Sequence, residues 1–174
     1  MKISRETIEP SSKNEWNTPA GYIESARKVL GGIDLDPATN KRAQKIIGAT
    51  KFYTREDDGL NHDWKGKVWM NPPYSYGAIK PFVDKFVRHW MAGDITQGIV
   101  LTNNNTETGW FHYLAGFASS LCFPSSRIKF DDQTGKGRFA PMQGQTFFYF
   151  GTDSGAHDFA LEFQQYGLIC HLRD

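Results

Sequence analysis

Cysteine is scarce in this sequence, with Cys122 and Cys170 the two in 174 residues. They lie far apart and match no metal-ligand or redox spacing, so reduced, mostly buried thiols are expected rather than a disulfide framework. No apolar run approaches the length that a membrane-spanning helix needs. The stretch "MKISRETIEPSSKNEW" is polar throughout and lacks the pattern of a secretory signal, which makes the cytoplasm the expected compartment. No two histidines stand at metal-ligand spacing, His89 falling within a helical pattern and His62 in a polar stretch, so no metal is expected. Excess charge is absent too. A net charge of +1 argues against holding nucleic acid by bulk electrostatics and leaves room for a local basic patch.

What is present is an ordinary globular composition, 39% hydrophobic and 22% charged, at a length that suits one domain with a real core. Residues 1–15 are polar and aperiodic and are expected to form a loose arm before a single domain over 16–174. Thr18-Pro19 reads as a helix start, with Thr18 as N-cap and Pro19 in the first turn. Tyr22, Ile23, Ala26, Val29 and Leu30 then recur at helical spacing until Gly31-Gly32, which predicts a helix over 19–30. Ile33 to Leu35 reads as a short strand running into Asp36-Pro37, "KRAQKIIGA" as a short helix, and "KFYT" at 51–54 as a second strand.

After the polar "REDDGLNHDWKG", Val68, Trp69 and Met70 form a strand. Ile79, Phe82, Val83, Phe86, Val87, Trp90 and Met91 mark a long amphipathic helix closed by Gly93. "GIVLT" at 98–102 is a buried strand, "NNNTET" a loop, and Trp110, Phe111, Leu114, Phe117 and Ala118 another helix. Strand-like "LCF", "RIKF" and "QTFFYFG" follow, with "DDQTGKGRFAPMQG" looping between the last two; a helix near 157–166 and a strand "LICHL" close the chain. The alternation implies an α/β fold: a mostly parallel sheet with an antiparallel C-terminal hairpin, helices on both faces, and a ligand site beyond the carboxyl ends of the strands. Phe82, Phe86 and Trp90, and Phe147, Phe148 and Phe150, are most simply core.

The stretch "KVWMNPPYSY" carries the clearest chemistry. Pro72 and Pro73 cannot donate to a sheet ladder, so they end the strand and stiffen the chain beyond it. The Asn71 side chain offers a carbonyl acceptor and the Pro72 backbone offers another, and two convergent acceptors suit a planar amino group with two hydrogens. Tyr74 adds a flat face on which a base could stack, a contact worth roughly 1–3 kcal/mol in single-strand binding systems. Together they describe a pocket for an exocyclic amine such as that of adenine. Such an amine is a poor nucleophile, and bonds to both its protons would favour a pyramidal nitrogen, so catalysis would work by positioning and electrostatics.

With "EWNTP", "GGIDLDPATN" and "DDGLNHDWKGKVWMNPPYS", the chain resembles the phage-type DNA N-6-adenine methyltransferase (Dam) family over about residues 15 to 152. The resemblance implies an abbreviated, Rossmann-like S-adenosylmethionine-dependent methyltransferase fold. It also implies transfer of the cofactor's methyl to the 6-amino group of adenine in double-stranded DNA, with the base flipped from the stack. By the same resemblance Asn71, Pro72, Pro73 and Tyr74 form the target-amine site. Trp16, Thr18 and Pro19 look like the N-terminal motif that closes over the cofactor's methionine part. Asp36-Pro37 resembles the acidic-Pro pair of the cofactor motif, with Asp34 one alternate position earlier on the same face. Asp58 resembles the acid that meets the cofactor's adenine, Glu56 and Asp57 being open alternatives. The chain departs from the usual glycine-rich cofactor turn, carrying "ATNKRAQ" after Asp36-Pro37.

DNA contacts are expected from "SSRIKFDDQTGKGRF", which supplies Arg127, Lys129, Lys136 and Arg138 with Phe139 available to wedge, diluted by Asp131 and Asp132. Asn103 and Asn104, with Asn105, are further candidates because Asn can read adenine bidentately. The source implied is a phage or prophage acting in the bacterial cytoplasm. Two rivals stand beside this reading: an amino methyltransferase acting on RNA or a protein glutamine, and a DNA-binding module without catalysis.

Overall fold

Val68, Trp69 and Met70 are fully buried at successive positions, so the strand that contains them must be covered on both faces. The computed structural model describes residues 17–74, 77–131 and 142–172, and residues 138–139 by their backbone. The expected arm over 1–15, Trp16, Lys136, and the side chains of Arg138 and Phe139 lie outside the described residues.

In chain order the strands are β1 (Leu35–Asp36), β2 (Lys51–Phe52), β3 (Gly66–Met70), β4 (Ile95–Asn103), β5 (Ser120–Pro124), β6 (Phe130–Asp131), β7 (Arg138–Phe139), β8 (Gln145–Phe150) and β9 (Gly167–His171). The helices are α1 (Ala20–Leu30), α2 (Gln44–Ile47), α3 (Ile79–Met91), α4 (Gly109–Ala115) and α5 (Asp153–Phe163). Among the described residues, seven strands form one sheet in the order β2-β1-β3-β4-β8-β5-β9. β2, β1, β3 and β4 are mutually parallel, whereas β8 runs antiparallel to both β4 and β5, and β9 antiparallel to β5.

Alternation along β3 divides the core. Trp69 faces a cluster with Ile23, Leu30, Phe147 and Phe163, which α1 and α5 cover. Val68 and Met70 face a second cluster with Val83, Phe86 and Phe148, which α3 and α4 cover. Burial of each large apolar side chain contributes about 1.5–3 kcal/mol before its entropy cost. Gly98 lets the aromatic layer close on β4, since a Cβ there would stand 2.6 Å from Phe86.

Three expectations are corrected. "RIKF" does not pair with "QTFFYFG": β8 has β4 on one side and β5 on the other, so it has no free edge, and β6 instead pairs with β7 in a separate two-stranded ribbon. The last helix begins at Asp153, earlier than expected, where the Thr152 hydroxyl accepts from the Gly155 N–H and caps it. Thr18 is not the N-cap of α1; Pro19 holds that position without a side-chain cap, leaving the Thr18 hydroxyl free for another partner. No helix of the described residues is long and apolar enough to cross a membrane.

Candidate active site

β1 leads outward to β2, and the chain then returns to place β3 on the other side of β1. This reversal opens a crevice at the carboxyl ends of β1 and β3, the position at which open α/β sheets bind ligands. Asp36 ends β1, Asn71 follows the last residue of β3, and Asn103 ends the parallel β4.

Asn71 is held at both ends of its amide. Its Nδ2 donates to the Thr18 hydroxyl at 3.2 Å, and its Oδ1 accepts from the Tyr74 hydroxyl, which also lies 3.2 Å from the Leu101 carbonyl. Pro72 is buried and Pro73 exposed, so one proline seats the turn and the other faces outward. Burial pushes the Tyr74 phenol above its usual pKa, so in this inward position it is a neutral hydroxyl that donates. The ring that was expected to offer a free face for a base is here turned inward against the core cluster of α3 and α4.

The segment before α1 touches Asn71, the turn that carries Asn40, and Asp131. Thr18 touches Asn71, and the neighbouring Asn17, 2% exposed, accepts on Oδ1 from Asn40 Nδ2 at 3.0 Å. Asn17 also pairs through its backbone with Asp131, N–H to carbonyl at 2.9 and 3.0 Å in the two directions. Asn17 and Asn40 sit inside the quoted motifs "EWNTP" and "DPATN" but were given no role from sequence. An Asn within three residues of each motif's proline is the available signal, and Asn is too common in turns to single out.

At the end of β1 the Asp36 carboxylate is almost wholly buried, and loss of solvation pushes its pKa up to about 7, opposed by the Ala38 N–H, which donates at 3.1 Å, and by the nearby Thr39 hydroxyl. That hydroxyl makes no hydrogen bond of ordinary geometry, so the oxygen is a buried polar atom awaiting a partner. The glycine-rich turn is replaced by an Asn-capped one, with Asn40 Oδ1 accepting from the Arg42 and Ala43 N–H groups at 3.0 and 2.8 Å. Among the described residues no cation stands beside this buried acid, and with the Thr39 hydroxyl on the same turn it forms a polar set that fits a cationic cofactor.

The "DDGL" loop packs directly on this turn. A Cβ at Gly59 would stand 2.0 Å from the Pro37 carbonyl oxygen, so only glycine permits the approach. Trp64 Nε1 and Lys85 Nζ fasten the loop by donating to the Gly59 and Leu60 carbonyls at 2.8 and 2.9 Å. Asp57 accepts from the Thr54 N–H and hydroxyl, while Asp58, in the left-handed region at φ 49°, accepts from the Leu60 N–H and the Asn61 side chain. Glu56 is exposed, its carboxyl held below the usual range chiefly by the Thr54 hydroxyl.

Asp34 is not brought to the crevice. It precedes β1 at the opposite edge, exposed, where its carboxylate accepts from the Lys67 N–H at 2.8 Å and locks the start of β3. Alternation put it on the face of Asp36, but a strand of two residues runs out before the carboxyl end can include it.

Family membership decides what this crevice serves. A family model described as DNA N-6-adenine-methyltransferase (Dam) matches residues 5–153. The chain belongs to that family. Its activity is accordingly site-specific methylation of the 6-amino group of adenine in DNA, with S-adenosylmethionine as methyl donor. YfdM of Escherichia coli (strain K12), a protein named for an inferred methyltransferase activity, is 31% identical over 70 residues, which span 36% of this chain and 74% of YfdM. A solved structure from Pyrococcus horikoshii, PH1948, titled for an inferred RNA methyltransferase, aligns over 87% of this chain and 91% of its own with a TM-score of 0.51. At 14% identity that likeness shows the methyltransferase fold alone. Among the described residues no group of three His, Cys, Asp or Glu side chains is placed to hold a metal ion.

Arg127 and Lys129 are exposed on the segment after β5, alternating with buried Ile128 and Phe130, and the antiparallel order places that segment at the edge of Asn71. Asn103 and Asn104 stand at the same edge with partners already. Gln145 Nε2 donates to Asn103 Oδ1 at 3.4 Å, and the Thr146 hydroxyl donates to Asn104 Oδ1. They pin the start of β8 to the end of β4.

Proposed function

We propose that Asn71, Pro72 and Tyr74 receive the 6-amino group of an adenine swung out of double-stranded DNA, with Pro73 stiffening the turn that presents them. The observation that carries this is the Asn71 amide, fixed at the carboxyl end of a buried strand by Thr18 from the segment before α1 and by Tyr74 of its own turn. S-adenosylmethionine, when bound, supplies an electrophilic methyl on a sulfonium. The Asn71 Oδ1 and the Pro72 carbonyl take the two amine protons as acceptors, which draws the nitrogen toward pyramidal geometry and aims its lone pair. Tyr74 leaves its inward position to stack on the base. No side chain acts as a base of shifted pKa on the amine, and the proton released after transfer passes to solvent.

Pro19, Asp36, Pro37 and Asp58 are the residues proposed to hold the cofactor, together with Trp16, while the Thr18 hydroxyl in the same motif is engaged by Asn71. Asp36 offers a buried carboxylate to a cation, and the Asp58 loop closes over Pro37. Arg127 and Lys129, with Lys136 and Arg138, track the DNA backbone, while Asn103 and Asn104 form the rim of the base pocket. One domain carries all of these parts. The phage-type resemblance and a relative in Escherichia coli support a setting in the cytoplasm of a bacterial host of a phage or prophage.

The test is transfer of labelled methyl from S-adenosylmethionine to unmodified duplex DNA, with tRNA and protein pools alongside, followed by nucleoside analysis. Label on N6 of adenine in DNA alone is expected. Label in the RNA or protein pool instead would overturn the substrate assignment.

A further inference from the structure

We propose that Thr18 is a positioning residue for the reaction, acting through Asn71 and not through the cofactor. This rests on the reading of Asn71 as the acceptor of the target amine. An amide side chain has nearly the same shape whichever way round it sits, yet only one orientation can serve here. With Oδ1 toward the crevice it accepts an amine proton; turned over, it meets the amine with its own N–H groups, and donor faces donor. A partner at the far end of the amide, where Nδ2 points, restrains the side chain in that place.

Thr18 supplies that partner. Its hydroxyl oxygen accepts from Asn71 Nδ2 at 3.2 Å, in a residue 4% exposed. Local rules would have used this hydroxyl to cap α1, but Pro19 takes the N-cap position and no side chain caps the helix. The second contact on the amide, from Tyr74 to Oδ1, is given up when Tyr74 turns to stack on the base as proposed above. Once Tyr74 withdraws, Thr18 is the partner that remains. Accepting at Nδ2 also polarises the amide and makes Oδ1 a better acceptor.

The anchor is itself held firmly. Asn17, next in sequence, is tied by its side chain to Asn40 on the turn after Asp36-Pro37 and by its backbone to Asp131 of the β6–β7 ribbon. Thr18 therefore cannot follow the amide if Asn71 rotates, and the amide must conform to Thr18.

The experiment compares Thr18→Val, which keeps the shape and removes the acceptor, with Thr18→Ser, which keeps the acceptor. The readouts are kcat and KM for methyl transfer to duplex DNA, and cofactor affinity by calorimetry with the full chain. Loss of one buried hydrogen bond of ordinary strength predicts a fall in kcat of about tenfold for Thr18→Val. Cofactor affinity stays within about twofold of the parent, and Thr18→Ser recovers most of kcat. Thr18→Ala carries the same test should the valine variant not fold. An unchanged kcat with weakened cofactor binding would make Thr18 a cofactor contact and overturn the proposal. So would a serine variant as slow as the valine one. Asn71→Ala separates the two levels: if it still transfers methyl, the reading beneath the proposal fails, whereas if it is inactive and Thr18→Val keeps the parent kcat, the proposal alone fails.

Discussion

The hydroxyl of Tyr74 donates to the side-chain carbonyl of Asn71, the atom proposed above to accept from the target amine. In the reading proposed above this internal hydrogen bond is released when the ring turns to stack on the base. The exchange of one donor for another costs little in net hydrogen bonding, while the displaced ring gains a base to stack on.

Tyr74→Phe removes the competing donor and keeps the ring. Transfer is expected to persist within a few-fold, with KM for DNA unchanged or lower, whereas Tyr74→Ala loses the stacking face and falls about tenfold or more in kcat/KM. Steady-state kinetics on duplex DNA check this. A phenylalanine variant as impaired as the alanine one would show that the hydroxyl serves the reaction directly.

The Asp36 carboxyl has a pKa of about 7 in the folded chain because burial strips its hydration, against about 3.9 for an unperturbed aspartate. Between these values the folded state holds a proton that the unfolded state has released, so stability falls as pH rises through the window. Asp36→Asn carries no such charge. In thermal melts from pH 5 to pH 8 the parent should lose stability relative to Asp36→Asn, and parallel curves would contradict the burial argument. A cation docked beside Asp36 favours the ionised form, so S-adenosylmethionine should narrow the gap at pH 8.

Arg127 and Lys129 project from the segment that continues β5 along the crevice edge. If both meet phosphates, replacing both by Ala weakens DNA binding across sequences and reduces the salt slope of log K by about two. Titrations at several salt concentrations measure it. An unchanged slope removes these two side chains from the interface.

Much of the site could be read along the chain because its decisive signals are local. A buried apolar run ending in Asn71-Pro72-Pro73 names a strand end and a rigid turn with no knowledge of the neighbours, and the spacing from Ile79 to Met91 names the helix that follows it. What escaped is settled by distant partners. Capping rules assigned the Thr18 hydroxyl to α1, but an Asn 53 positions away takes it. Strand order is equally non-local: β8 lies between β4 and β5, a choice of partners that its own sequence does not encode. Asp34 was misplaced because alternation gives a face and not an end of the strand. Gly59 could not be singled out among the turn residues of its loop, since its need for a bare Cα comes from the Pro37 carbonyl pressed against it.

The most direct test of the account compares Asn71→Ala with the parent chain, measuring methyl transfer to duplex DNA and cofactor protection in a thermal melt. The account predicts that transfer falls by about a hundredfold or more, the scale of losing an aligned charge-stabilising group, while the cofactor raises the melting temperature as it does for the parent. Loss of cofactor protection in step with activity, or transfer that survives the substitution, would contradict the placing of the target amine at Asn71.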